Sequence, residues 1–409
     1  MRLRRAKRKL ATMIATAGIA IAMLFATIGL TGCGRVTTVF AYYEGSAQIT
    51  DLPIVMNAGD SFTVTNNHFS EFDIDFERVE IRLQSQRIVG DVVGTVIAIQ
   101  GNTITAKYSG RVTISTVLIE QRDGNVVRRW GLGLTTIYVI DETTKTHVTT
   151  ADELQNLTMT GHYILMDNID LYGIDWQPIG GVFVPEEPIV GGLQNINPHR
   201  FRGMLVNPHG FVIDNLTINS FENLSNRGSI SAGLFEEIDN ALIYGLILEN
   251  VYINLSDFEG YSIAGGIVGR IRGTAHIINN SVEGFISAGN EVGGIAAYCS
   301  GRSRISNNEF TGTVKQHSDW EMHAYGAGGI VGFTALQSHV SVMRFFRNSG
   351  LFNNRVINAT IIASHYAGGI IGFNFSDGKP IGCTFDGKLY GGRGQGELIG
   401  FSRWQHLWE

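Results

Sequence analysis

From about residue 230 to the end, apolar and polar residues alternate in short runs, and each run stops at a glycine or an asparagine. One run reads Ile277-Ile278-Asn279-Asn280-Ser281-Val282-Glu283-Gly284-Phe285-Ile286. It returns as Ile305-Ser306-Asn307-Asn308-Glu309-Phe310-Thr311-Gly312-Thr313-Val314 and again from Phe352 to Ile361. Alternation of this kind marks half-buried strands. Each run is followed by a second pattern, Ala264-Gly265-Gly266-Ile267-Val268-Gly269 in its first strong copy. The pattern recurs at Gly293-Gly294, Gly328-Gly329 and Gly368-Gly369, at intervals of 28, 35 and 40 residues. Weaker copies stand at Ala232-Gly233-Leu234-Phe235 and at Gly396-Glu397-Leu398-Ile399-Gly400. Periods of this size predict a solenoid, in which each coil buries its apolar face against its neighbours. Glycine and asparagine at the breaks predict corners with positive φ, or side chains that bond their own backbone. Gly266, Gly294, Gly329 and Gly369 are expected at equivalent positions, with Ile267, Ile295, Ile330 and Ile370 pointing into one core.

Residues 51–143 have a different texture. Strand-like runs at 61–64, 79–83, 92–99, 103–106, 111–117 and 135–140 are separated by turn signals such as Gly101-Asn102 and Ser109-Gly110. Short strands at regular spacing with no helix between them predict a β-sandwich. Residues 144–409 then form the solenoid. The sequence Thr149-Thr150-Ala151-Asp152-Glu153 predicts an N-capped short helix closing its first end, with acids in the first turn. The fold class expected is all-β, an N-terminal sandwich followed by a parallel β-helix.

The first nine residues carry six basic side chains and no acid, and Leu10–Leu30 is uncharged and mostly apolar. This order is that of an export signal. Leu30-Thr31-Gly32-Cys33 resembles the bacterial lipobox, which implies removal of residues 1–32, lipidation of Cys33 and a tether over 33–50. The alternative is an uncleaved anchor, since about 20 apolar residues suffice to span a bilayer. Both place the rest of the chain outside the cytoplasm, because the positive flank stays inside. The stretch Gly101-Asn102-Thr103-Ile104-Thr105-Ala106-Lys107-Tyr108-Ser109-Gly110-Arg111-Val112-Thr113-Ile114 resembles the signature of group 2 bacterial Ig-like domains, which implies a spacer or adhesive module. Tyr163–Leu171, Trp176-Gln177-Pro178-Ile179-Gly180, Phe201-Arg202-Gly203, Ile213–Ile218 and the glycine repeats resemble bacterial surface proteins with the GLUG motif. That resemblance implies a right-handed parallel β-helix on exported, adhesin-like proteins. It brings no catalytic residue with it.

Charge narrows the partners. Without residues 1–32 the chain has 25 Lys and Arg against 37 Asp and Glu, a net of −12. No nucleic-acid partner is expected, because phosphates require clustered basic residues. Cys299 and Cys383 fall in different columns, about three coils apart. At ~4.8 Å per coil they are ~14 Å apart along the axis, too far for a disulfide. Both read as buried thiols.

Neither a His-Glu-x-x-His metal motif, a Gly-x-Ser-x-Gly elbow nor a phosphate loop occurs. Glu283, Glu309 and Asp386 do not stack as a carboxylate pair, so no enzyme, catalytic residue or cofactor is expected. His317, Asp319, Glu321 and His323 alternate at a spacing of two and would share one face of a strand, as weak metal candidates. In a loop the same alternation carries no meaning.

Three insertions break the repeat: Phe183–Arg200 with its prolines, His317–His323 and Met343–Arg347. Loops on a regular scaffold commonly carry binding. The aromatic tail Trp404–Glu409 is expected to cap the last coil. The function expected is that of a lipid-anchored surface scaffold for a glycan or protein ligand. A polysaccharide-active enzyme and a structural envelope spacer are the alternatives.

Overall fold

The computed structural model describes residues 40–42, 53–64, 78–88, 94–122, 125–180, 199–219, 229–301, 303–317, 325–336, 350–376 and 379–402. The N-terminal part is two sheets around one core. The five-stranded sheet is built on the antiparallel pair Gly110–Arg122 and Asn125–Ile140. Arg78–Ile88 flanks the first of these strands, and Phe40–Tyr42 and Val55–Asn57 pair with the second. Phe40–Tyr42, inside the stretch read as a tether, is thus a parallel addition to the sheet. Ser61–Thr63, Thr103–Ala106 and Ile97–Gln100 make the antiparallel three-stranded sheet. Ile81, Val96, Ile104, Val112, Ile114, Ile137 and Val139 fill the space between the two.

From Thr146 onward the chain is wound into coils of four short strands, and each strand pairs in parallel with its equivalent one coil later. Four walls result. The first runs from Thr146–Val148 through His162–Leu165, Met204–Val206, Leu242–Tyr244, His276–Ile278 and Arg304–Ser306 to Gly350–Phe352. The second holds the longest strands, among them Ser281–Ala288, Glu309–Gln316 and Arg355–Ala363. The third includes Tyr261–Gly265, Val292–Gly293, Gly326–Gly328 and Tyr366–Gly368. The fourth includes Phe235–Asp239, Val268–Arg272, Ala296–Gly301, Val331–Leu336, Ile371–Asn374 and Ile399–Ser402. The parallel sheets make this part a β-solenoid. Ile267, Ile295, Ile330 and Ile370 are all fully buried in its core.

The open first end is covered by the helix Ala151–Gln155. Thr150 Oγ1 accepts from the Glu153 amide at 3.2 Å, and the Glu153 carboxylate accepts from the Thr150 amide at 3.1 Å. This reciprocal cap satisfies two helix-end donors, and Leu154 is buried beneath it.

The repeat glycines do their work differently from the sequence expectation. None of Gly233, Gly265, Gly266, Gly293, Gly294, Gly328, Gly329, Gly368 and Gly369 is among the positive-φ residues. They sit where the third wall turns into the fourth, and backbone fills the place a Cβ would take. At Gly293 it would lie 1.9 Å from the Ala296 carbonyl oxygen, and at Gly368 1.9 Å from that of Ile371. Positive φ falls instead at other corners, on asparagines such as Asn279 (60°), Asn307 (56°) and Asn353 (52°) and on glycines such as Gly245 (74°), Gly273 (65°) and Gly301 (80°). Asparagine tolerates that region better than other side chains.

The first wall is apolar on its inner face and largely apolar on its outer face. Tyr163, Leu205, Ile243, Ile277, Ile305 and Leu351 point into the coil. Ile164, Met204, Val206, Leu242 and Ile278 point outward, against Tyr138 and Ile140 of the N-terminal sheet. The N-terminal part is therefore docked along the side of the solenoid. Its strand Asn125–Ile140 supplies Tyr138 and Ile140, Ile54 and Val55 pack beside them, and Arg111 donates to the Asn240 carbonyl at 3.4 Å.

Candidate functional site

The fourth wall builds the most distinctive outer surface among the described residues. In-register pairing aligns Glu237, Arg270, Tyr298, Phe333, Phe373 and Phe401 in one outward column. Neighbouring strands stand about 4.8 Å apart, so rings at equivalent positions stack. Tyr298 and Phe333 have centroids 5.2 Å apart, Phe333 and Phe373 5.3 Å, and Phe373 and Phe401 4.9 Å. The Arg270 guanidinium closes one end, 5.7 Å from the centre of Tyr298. Tyr366 reaches across from the third wall to Phe373 and Phe401, with centroids 5.6 and 4.7 Å away. Phe375, beside the ladder, is 42 % exposed. Because the ring faces are occupied by one another, most of the column presents ring edges to a partner.

The other end of the wall is ionic. Arg200 Nε lies 2.7 Å from Glu237 Oε1, and Arg202 Nε lies 3.3 Å from Asp239 Oδ2. Arg272 pairs with Glu237 through its own Nε. Arg272 remains partly exposed while both carboxylates are nearly covered. Guanidinium groups of this kind recognise carboxylates and phosphates through a planar fork.

Next to this wall, on the approach to the third, Glu291 is buried and accepts a hydrogen bond from Tyr261 Oη at 2.6 Å. Burial holds its carboxyl up to about 7, against the Tyr261 hydrogen bond and the Arg270 charge, which favour the ionised form. Burial also raises the Tyr261 hydroxyl. Such a carboxyl can hold or release a proton near neutrality.

The residues singled out in the sequence fare unequally. Cys33 and the whole export segment lie outside the described residues, as do residues 181–198, 318–324, 337–349 and 403–409. Asp319, Glu321 and His323 are among them. His317 is described, and its Nε2 lies 2.5 Å from Ser287 Oγ. Among the described residues no group of three or more His, Cys, Asp or Glu could hold a metal ion. No helix among them is long and apolar enough to cross a membrane. Cys299 and Cys383 are free and buried, and burial pushes the Cys299 thiol up to about 12.

The aromatic column was missed in the sequence, although its signal is there. Arg270, Tyr298, Phe333 and Phe373 each stand four residues after the second glycine of their repeat. Glu291 left no such mark, because its burial depends on the walls around it.

The junction between the N-terminal sheet and the first wall is also ionisable. Tyr138 Oη and His276 Nδ1 are 2.7 Å apart and fully enclosed. Burial, with the Arg304 and Arg111 charges, holds the His276 imidazole down to about 3. An unfolded chain binds that proton near pH 6.5, so unfolding takes up a proton between pH 6.5 and 3. Stability from His276 is therefore complete above 6.5 and is lost as the pH falls through that window. The loss at pH 4.5 is about 3 kcal/mol. His276→Gln keeps a hydrogen-bonding side chain without the titration. Urea unfolding at pH 7 and 4.5 should show a smaller acid loss in this variant than in the parent.

No family model matches the chain, and no curated protein matches it. Among solved structures, a proposed immunoglobulin A1 protease from Bacteroides ovatus is similar, with a TM-score of 0.34 and 15% identity. That match covers 64% of this chain and 85% of the other. A structure described as IgA1 protease has a TM-score of 0.38 and 14% identity, over 79% of this chain and 27% of its own. At these values neither match transfers an activity or a residue to this chain.

Proposed function

We propose that this is an exported surface protein, lipid-anchored through Cys33, whose solenoid is a binding scaffold for a glycan or protein ligand. In this reading the N-terminal part is a group 2 bacterial Ig-like domain and the solenoid a right-handed β-helix of GLUG type. The observation that supports binding most directly is the aligned column from Arg270 to Phe401. Most outward positions of a solenoid serve only solubility, whereas this column gathers arginine and aromatic side chains, the residue types that dominate binding energy. The insertions Phe183–Arg200 and Met343–Arg347 follow, in sequence, residues that pair within the same wall, and they remain candidates for binding.

A screen of the full chain against glycans and surface proteins tests the reading. A ligand found there should bind at least tenfold more weakly to Arg270→Ala and to Phe375→Ser. Unchanged affinity in both would move the site elsewhere. Turnover of a polysaccharide in the same screen, lost in Glu291→Gln, would favour the enzyme reading. The anchor is tested separately: Cys33→Ala should lose the lipid mass and its partition into detergent. An unaltered mass and partition would rule out lipidation at Cys33.

A further inference from the structure

The pairing of Thr146 with Tyr163 in the first wall places the preceding residues, Lys145 and His162, side by side on its outward face. That face is the one against which the N-terminal sheet docks. Lys145 is only 7% exposed, and its Nζ has no hydrogen-bond partner. His162 Nδ1 beside it is equally enclosed and equally without a partner. Both atoms are nitrogens able to donate, and the charge that reaches the His162 ring from its surroundings is positive, from Lys145 and from Arg87 of the N-terminal sheet.

The nearby acids are engaged elsewhere. Asp141 Oδ1 accepts from the amide and hydroxyl of Thr143 at 3.0 and 2.7 Å. Glu142 lies 3.4 Å from His209 Nε2. Burial lowers the Lys145 ammonium to about 7, against the charges of Asp141 and Glu142, which favour its protonated form without hydrogen-bonding it. A buried ammonium with no acceptor is costly, and native structures rarely leave such a group unsatisfied.

We infer that the junction binds a small inorganic anion between Lys145 Nζ and His162 Nδ1. The anion accepts a hydrogen bond from each nitrogen and neutralises the ammonium, with Arg87 adding to the attraction. Because Lys145 and His162 belong to the solenoid and Arg87 to the N-terminal sheet, the bound anion also ties the two parts together.

Thermal unfolding of the full chain in sodium sulfate and in sodium bromide tests this, with ionic strength held constant by a bulky organic anion. The parent midpoint should rise with the logarithm of anion concentration, as binding to the folded state alone requires, in one or both salts; sulfate alone identifies an oxyanion site, both a general small-anion site. Lys145→Met should begin from a higher midpoint, because the unpaired ammonium is gone, and should keep only the roughly linear effect common to all proteins in salt. A parent without the logarithmic rise, or such a rise surviving in Lys145→Met, overturns the inference. Should the variant fail to fold, crystals of the parent soaked in bromide decide: an anomalous peak within hydrogen-bonding distance of both nitrogens supports the site, and its absence refutes it.

Discussion

Gly328→Ala should be among the most damaging single substitutions in the solenoid, costing about 4 kcal/mol or more. Its new Cβ would lie 2.0 Å from the Val331 carbonyl oxygen and 2.7 Å from the Gly372 amide nitrogen. Both obstacles are backbone. The first belongs to the same coil across the corner, and the second to the next coil. Neither can swing aside as a side chain would, and moving either one disturbs ladders on both sides. Interiors packed this densely relieve such a clash only by shifting whole strands. Gly289→Ala is the matched comparison, since its Cβ would approach nothing closer than Ser262 Oγ at 3.0 Å. It should cost about 1 kcal/mol or less. Chemical unfolding of the two variants beside the parent reads the difference. Equal midpoints would refute the close-approach account of the repeat glycines.

That account explains what could be read from the sequence and what could not. The Gly-Gly-Ile period disclosed the coil and the core isoleucines, because stacking demands the same residue type at the same place in every turn. It did not disclose why glycine is needed. A glycine required for positive φ and one required for lack of room look identical in a sequence. The first wall shows a similar limit. His276-Ile277-Ile278, Met204-Leu205-Val206 and Leu242-Ile243-Tyr244 break the alternation, a sign of a strand covered on both faces. The sequence does not say that the second cover is the N-terminal sheet, because docking depends on shapes formed only after both parts fold. Lys145 and His162 are separated by 17 positions and become neighbours only through the ladder. The aromatic column could have been found by carrying the glycine offsets four residues further.

The paired asparagines divide two tasks between them, and substituting each should separate the tasks. Asn307 is exposed and takes the left-handed corner at φ 56°. Glycine adopts that conformation readily, so Asn307→Gly should shift stability by about 1 kcal/mol or less. Asn308 points inward and is 1% exposed. Its Oδ1 accepts from the Asn280 amide at 3.0 Å and from Asn280 Nδ2 at 2.8 Å. Its Nδ2 donates to the Ile277 carbonyl at 3.0 Å and to Asn354 Oδ1 at 2.9 Å. The rungs run on to Asn354, whose amide donates to Cys383 Sγ at 3.4 Å. Asn308→Leu would fill much of the same volume but strand the Asn280 amide in an apolar interior and take from Asn280 Nδ2 the acceptor of one of its hydrogen bonds. Each buried polar group left without a partner costs about 1–3 kcal/mol, so the variant should lose about 3–5 kcal/mol. Unfolding in urea, followed by circular dichroism for Asn307→Gly, Asn308→Leu and the parent, measures both. An Asn308→Leu variant as stable as Asn307→Gly would mean that the apolar core alone holds the coils in register. A loss of the expected size would assign the register to this ladder, which apolar packing of similar isoleucines from coil to coil cannot specify by itself.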